Sequence, residues 1–462
     1  MLGYFNYKRI NSKYLLTNDL GRYIFLTPSQ FRELLEKSSV KDEKVRERLK
    51  KNAFIYSESR EAYIEEFYGY VRDAKNYLLM PAQLHIFVVT TACNMHCVYC
   101  QARKDNHTPN GFMTKKTAKK AVDLALQSPV NDLTFEFQGG EPLLNFEIIR
   151  YIVEYSEEVA GKKSIRYALV SNLTLLDEKM LLFMMEHHVE ISTSLDGYEA
   201  LHNENRPFLD GKGSFSAVME KIMKIREKGL GIGAIQTTTR ESLASPKKIV
   251  DAYLKAGFGT ISLRALTPLG CANKVWDAIG YEPEDFLKFY DEAFEYILEI
   301  NLKGKKFSET IASLMLKKII TGVAPNYMEL RSPCGASVGQ MAYYYDGKVY
   351  TCDEGRMIAE MGNPAFLLGT VDQEYDELLN SGVCRSACMA SILESLPSCS
   401  DCVYQPYCGV CPAVNYALYG DVCEKRPRSY RCIIYGGILD ILFNKLQEDD
   451  YSIRQVFRSW IE

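Results

Sequence analysis

The stretch Thr91-Ala-Cys-Asn-Met-His-Cys-Val-Tyr-Cys100 says most about this chain. Cys93, Cys97 and Cys100 have the spacing C-x3-C-x2-C, which offers three thiolates to a partner that prefers four ligands. A [4Fe–4S] cube held by three cysteines keeps one iron open for an outside ligand. A zinc site and three unrelated thiols are the other readings of these residues. His96, between two of the cysteines, reads as an exposed loop residue.

Working outward, the apolar run Gln83 to Thr90 reads as a strand leading straight into Cys93. Further strands are expected at 133–138, 165–171, 189–195, 231–238 and 260–267, with helical stretches such as 115–127, 146–160 and 215–228 between them. Six β-α units with parallel strands predict an α/β fold, a partial (β/α)6 barrel whose chemistry sits at the C-terminal strand ends. Those ends carry Gly139-Gly140-Glu141-Pro142, Ser171-Asn172, Ser194-Leu195-Asp196-Gly197 and the run Leu263 to Gly270. Paired glycines let backbone approach a ligand closely, and the carboxylate beside them suits an ammonium.

The cysteine spacing, Tyr99 just before its last cysteine, and Gly-Gly-Glu-Pro one β-α unit later together resemble the radical SAM enzymes. The resemblance implies S-adenosylmethionine (SAM) as the ligand of the open iron. It also implies reduction of the SAM sulfonium and a 5′-deoxyadenosyl radical that abstracts hydrogen. Tyr99, Gly139, Gly140, Glu141, Asn172, Ser194, Asp196, Arg206 and Leu266 are then the cofactor-binding residues. Of these, Gly139, Gly140 and Glu141 would meet the SAM amino group. Asn172, Ser194 and Asp196 would hold its ribose and carboxylate, and Leu266 would lie along the adenine. The third strand end departs from the commoner Thr-Asn-Gly by carrying Ser171 and Leu173. Arg206, in a His202-x3-Arg206 arrangement, meets a carboxylate, lines the substrate pocket or is a solvated surface residue.

The chain has 462 residues, enough for two or three domains. A net charge of −4 gives no reason to expect nucleic acid or an anionic membrane as partner. No apolar run approaches a membrane span, and the N-terminus lacks the pattern of a signal peptide, which predicts a cytoplasmic protein. Of 14 cysteines, three lie at 93–100 and ten at 334–432, as ligands or free thiols in a reducing compartment. Residues 1–80 read as a separate module. Strands are expected at 4–10, 13–17 and 22–26, then a helix with Thr27 as N-cap, Pro28 at N1 and Gln30 at N3, continuing through Val45 and Leu49. This module resembles the leader-peptide recognition element of peptide-modifying enzymes; a plain N-terminal cap is the other reading. The expected division is 1–80, the barrel at 81–300, a helical bridge at 301–330, a cysteine-rich domain at 331–435 and a C-terminal helix at 436–462.

Cys334-x12-Gly347-x4-Cys352, then Cys399-x2-Cys402-x5-Cys408-x2-Cys411 and Cys432, resembles the SPASM extension of radical SAM peptide maturases, with two auxiliary [4Fe–4S] clusters and so three in all. The spacing before Cys411 is one residue shorter than usual. By that resemblance Cys399, Cys402, Cys408 and Cys432 hold one cluster, and Cys334, Cys352 and Cys411 contribute to the other. Cys384 or Cys388 completes the second, or an iron stays open. Cys423 competes with Cys432, and Cys271 is a buried or free thiol. A zinc knuckle fits the same spacing.

The implied function is a radical SAM oxidoreductase that matures a ribosomal precursor peptide carrying a leader, with an electron donor such as flavodoxin or ferredoxin. Tyr404 to Pro412 and Leu15 to Arg22 resemble the maturase of His-Xaa-Ser peptide systems, which implies a cyclophane-type carbon–carbon crosslink between side chains. Thioether formation and formylglycine formation are alternatives within the class. An iron–sulfur electron carrier or a zinc module is the alternative outside it. Asp346, Asp353, Glu354 and Tyr345 are the candidate catalytic residues, because they lie near the first auxiliary cysteines.

Overall fold

A computed structural model describes residues 1–56, 59–79, 81–102, 111–423 and 429–462. Near the N-terminus, β1 (Asn6–Ile10), β2 (Lys13–Thr17) and β3 (Tyr23–Leu26) form an antiparallel sheet in sequence order. Leu16, Ile24 and Leu26 bury against Phe31, Leu34 and Leu49 of the following helices. Thr27 and Gln30 close the expected capping box on the helix Pro28–Lys37. The helix does not continue to Leu49. It ends at Ser38 in the left-handed conformation, and Asp42 caps a second helix, Glu43–Lys51.

The main sheet has ten strands: β4 (Leu84–Thr90), β5 (Asp132–Gly139), β6 (Ser164–Val170), β7 (Glu190–Ser194), β8 (Ile232–Thr238), β9 (Thr260–Ala265), β10 (Ser308–Glu309), β11 (Gln340–Tyr343), β12 (Lys348–Tyr350) and β13 (Leu367–Thr370). Their order is β10-β9-β8-β7-β6-β5-β4-β11-β12-β13. β4 to β9 are the six expected parallel strands, each laid beside its predecessor. The sequence did not announce that the sheet runs on. β11, from the cysteine-rich region, pairs in parallel with β4, and β12 and β13 follow antiparallel. Two groups expected to lie apart thus share one backbone ladder.

In β5, Leu133, Phe135 and Phe137 are buried in the core beneath the helices. The pleat turns Thr134, Glu136 and Gln138 to the other face. Burying each such phenylalanine contributes roughly 1.5–3 kcal/mol, which locks the register. At the C-terminus the one helix expected at 436–462 is two: Tyr430–Glu448 ends at Asp449 in the left-handed conformation, and a second, Tyr451–Ile461, packs Phe457 and Trp460 near Phe294.

The N-terminal sheet is docked on the C-terminal region. Thr17 Oγ1 donates to Val403 O (2.6 Å), and Asn6 Nδ2 donates to Ser400 O and Cys402 O (3.1 Å each). Tyr23 and Phe25 pack edge-on to Phe443, and Lys8 pairs with Asp440 at 2.7 Å.

Candidate functional site

β4 ends at Thr90 and the chain turns into the loop of Cys93, Cys97 and Cys100. Two crossings fix this loop. Gly140 N donates to Thr90 O (3.0 Å) and Glu141 N to Ala92 O (2.8 Å). On the other side His96 N donates to Pro207 O (2.8 Å) and Val98 N to Asn205 O (2.9 Å). The first crossing needs the glycines: a Cβ on Gly139 would lie 2.0 Å from Thr90 O, and one on Gly140 2.2 Å from Ala92 O. The second sets Arg206 beneath the loop. His96 itself is exposed, as expected.

The three sulfurs sit on the wall of a cavity of about 280 Å³, shared with Asn172, Ser194 and Arg206. Among the described residues no three His, Cys, Asp or Glu side chains lie close enough to hold a single metal ion. Burial pushes the Cys93 thiol up to about 11 and that of Cys100 up to about 12, so these sulfurs become thiolates only beside a cation. An iron cube is such a partner, and the donor set and cavity fit it. Cys271 donates its backbone N–H to Cys100 O (3.1 Å), but its residue is not among those lining the cavity.

Behind the thiols runs a buried relay. Arg206 Nη1 donates to the Tyr99 hydroxyl (2.8 Å), and that hydroxyl donates to Asp196 Oδ2 (2.6 Å). Asp196 N donates to His202 Nδ1 (3.3 Å). Burial and the nearby Arg206 charge lower the His202 pKa to about 3, so the ring is neutral and its Nε2–H faces Ser214 Oγ at 3.1 Å. The relay holds the guanidinium in place, and Arg206 and Tyr99 themselves reach the cavity wall.

Three of the expected cofactor residues, Glu141, Asp196 and Leu266, are not in the cavity lining. Glu141 is fully buried and spends its oxygens inside the protein, on Ser171 Oγ (2.7 Å), Leu143 N (3.0 Å) and Asn172 N (2.8 Å). It shapes the end of β6 and does not line the cavity. Asp196 likewise stands behind Tyr99, outside the lining, while Ser194 is in it. Leu266 is buried and its N–H donates to the Tyr281 hydroxyl (2.7 Å); its neighbours Ala265 and Thr267 face the cavity. Leu173, where a glycine is commoner, keeps the left-handed backbone (φ 66°), at roughly 1–2 kcal/mol, and is fully buried.

Residues 87–251 match the radical SAM superfamily. They form a radical SAM domain. A protein of Methanocaldococcus jannaschii is 32% identical over 183 residues, 40% of this chain and 62% of that protein, so the chain spans less than two thirds of it. A cysteine-type anaerobic sulfatase-maturating enzyme of Clostridium perfringens is 25% identical over 287 residues, 59% of this chain and 74% of the enzyme. The fold is similar to that of anSMEcpe with bound AdoMet (TM-score 0.70, 21% identity, 82% of this chain and 98% of that one). It is also similar to Streptococcus suis SuiB bound to precursor peptide SuiA (TM-score 0.53, 15% identity, 92% and 98%). The family implies a [4Fe–4S] cluster and SAM. Among the described residues no helix is long and apolar enough to cross a membrane.

The far wall of the cavity beside Cys93, Cys97 and Cys100 comes from the cysteine-rich region. Asp353 and Glu354, on the first turn of the helix Asp353–Glu360 that Cys352 caps, line it with Met357 one turn on. Asp353 pairs with the buried Arg356. Burial, with the charges of Glu329 and Asp353, raises the Glu354 pKa. The other two catalytic candidates are not in the lining. Asp346 pairs with Lys348 at the β11–β12 turn (2.6 Å), and the Tyr345 ring packs tilted against that of Tyr344 (centroids 4.6 Å apart).

Beyond this wall Cys334, Cys352 and Cys411 line one small cavity with Glu354, and Cys399, Cys402, Cys408, Cys411 and Cys432 line another. Burial pushes the Cys408 thiol up to about 12, reinforced by Cys402, Cys432 and Cys399. Cys423 is exposed and outside the lining. Cys384 and Cys388 lie one turn apart on the helix Gly382–Met389 and line neither cavity. That helix is tied to Cys334, whose N–H donates to Ser391 Oγ (3.0 Å), which donates to Ala387 O (2.7 Å). Between the regions a partly buried Glu329 binds Arg264 (2.8 Å), Arg431 (2.6 Å) and the Tyr435 hydroxyl (2.8 Å). Sequence reasoning missed this cluster, because its members are scattered and only the fold gathers them.

Proposed function

We propose that the chain is a radical SAM maturase that acts on a peptide, oxidising it by two hydrogens in a side-chain crosslink. The observation that carries this is the single cavity walled on one side by Cys93, Cys97, Cys100, Asn172, Ser194 and Arg206 and on the other by Asp353 and Glu354. When bound, the cluster on the three cysteines supplies an electron to the SAM sulfonium and so yields the radical that removes hydrogen. Arg206, charged and fixed through Tyr99, takes the carboxylate of SAM. Gln138, Arg264 and Thr267 leave polar groups along the cavity for peptide backbone. Asp353, oriented by Arg356, receives the proton that leaves the substrate as its carbon radical is oxidised.

The second electron needs an acceptor. In this reading two auxiliary [4Fe–4S] clusters take it, one on Cys399, Cys402, Cys408 and Cys432, the other on Cys334, Cys352 and Cys411 with Cys388 or an open iron as its last corner. Residues 1–80 are the leader-binding module, with β3 as the strand edge that receives the peptide. The electron for SAM comes from a small flavin or iron–sulfur protein. The likeness to anaerobic sulfatase-maturating enzymes keeps formylglycine formation as a second reading.

The test is co-expression with a short precursor from beside the gene. A crosslinked product lacks two hydrogens and resists a hydrazide probe. A hydrazide-reactive aldehyde establishes the second reading, and an unmodified peptide refutes the first.

A further inference from the structure

Lys318 lies in the helix Thr310–Thr321 among Ile311, Ala312, Met315, Leu316 and Ile319, and is 8% exposed. Its Nζ donates to Leu330 O at 2.7 Å. That bond satisfies one donor and leaves the charge. Among the described residues the charged groups that act on Lys318 are Cys408 and Lys75. Lys75 is itself a cation, already ion-paired with Glu394 and facing Asp19. All five residues wall a cavity of about 230 Å³ beside the N-terminal sheet. A buried ammonium with no anion is costly, and proteins normally give such a charge a partner.

Two carboxylates share this wall, but Glu394 is engaged by Lys75 and Ser332 and neither it nor Asp19 is paired with Lys318 among the described residues, so the sulfur of Cys408 is the candidate anion. A cube held by four thiolates is negatively charged, and more so after reduction. Net charge near such a cube sets its potential. We propose that Lys318 is the internal counter-cation of the iron–sulfur group assigned above to Cys399, Cys402, Cys408 and Cys432, a positioning residue that stabilises its reduced form. This rests on that assignment. It gives the helix Thr310–Thr321 a role in electron acceptance: the ammonium makes the group a better sink for the electron leaving the substrate.

The experiment is a redox titration followed by EPR on anaerobically reconstituted Lys318→Met and Lys318→Arg, with iron counted on each and on Cys408→Ser. Methionine fills the space without the charge, and replacing a buried ion by an apolar side chain is commonly tolerated. In Lys318→Met the ratio of reduced to oxidised group at fixed potential falls at least tenfold, a negative shift of about 59 mV for one electron. Lys318→Arg restores it and the other clusters do not move. Loss of iron in Lys318→Met that Lys318→Arg restores supports the same role. An unchanged midpoint with iron retained, or equal iron loss in both variants, overturns it. If Cys408→Ser keeps all its iron, the ligand assignment itself has failed, which is a separate result.

Discussion

The two cysteine regions solve opposite problems. The first puts three thiols on the rim of a roomy cavity of about 280 Å³, at the ends of parallel strands. Strand ends are rigid, so Arg206, Ser194 and Asn172 can be aimed at an incoming molecule. The second packs its thiols into loops and helix starts around spaces of about 40 and 10 Å³. Cys352 caps one helix and accepts from Gly355 N (3.3 Å), while Cys411 and Cys432 open two others. Room for an outside ligand belongs to the first region, and closure belongs to the second. That contrast parallels catalytic and structural metal sites.

The largest effects should separate the two regions. Cys97→Ala should remove about four irons and lower 5′-deoxyadenosine release by roughly a thousandfold or more, about 4 kcal/mol in barrier. Cys432→Ser should lose a similar amount of iron yet keep SAM cleavage while peptide crosslinking stops. Equal loss of SAM cleavage in both variants would erase the distinction. Next, Arg206→Met should raise the SAM concentration for half-maximal cleavage about ten- to hundredfold, the value of a charge-assisted hydrogen bond. Tyr99→Phe, which frees Arg206 without removing it, should cost about fivefold.

Much of the first region is legible in its residues, and less of the second. Cys93, Cys97, Cys100 and the paired glycines are local signals, and six strands follow from apolar runs. Side-chain direction is not local. Leu266 is buried and Thr267 lines the cavity just after β9 ends at Ala265, and the run Leu263 to Gly270 does not reveal where that strand stops. Glu141 faces the Ser171–Asn172 turn because that turn, 30 residues on, brings two hydrogen-bond donors to it, beside the local N–H of Leu143. Asp353 and Asp346 look alike in sequence, yet one heads a helix at the cavity and the other sits in a hairpin turn. The joining of β11 to β4 is a long-range pairing with no local mark. Deleting residues 1–80 would also strip the packing of Phe443 and the support of Cys402, so leader binding is better tested by point changes along β3.

Smaller effects concern the scaffold of the first region. Gly140→Ala should destabilise the protein by about 1–3 kcal/mol, seen as a lowered thermal midpoint, because its Cβ would meet Ala92 O and force the loop away. The matching Gly420→Ala, where nothing lies within 4 Å of the added carbon, should cost less, through its left-handed backbone alone (φ 69°). His202 supplies a pH signature. Its pKa falls from 6.5 unfolded to about 3 folded, so between those values the unfolded chain binds the extra proton. Stability should therefore drop by about 1.4 kcal/mol per pH unit as pH falls through that window. His202→Asn should flatten the slope of thermal midpoint against pH.

The central claim is that the group on Cys93, Cys97 and Cys100 has one iron free for SAM. The direct measurement is ENDOR on the reduced, reconstituted protein with SAM labelled by 15N at its amino group and 17O at its carboxylate. Couplings from both labels, lost in Cys97→Ala and kept in Cys432→Ser, are the predicted result. A reduced cluster from these three cysteines that shows no coupling to either label would contradict the account.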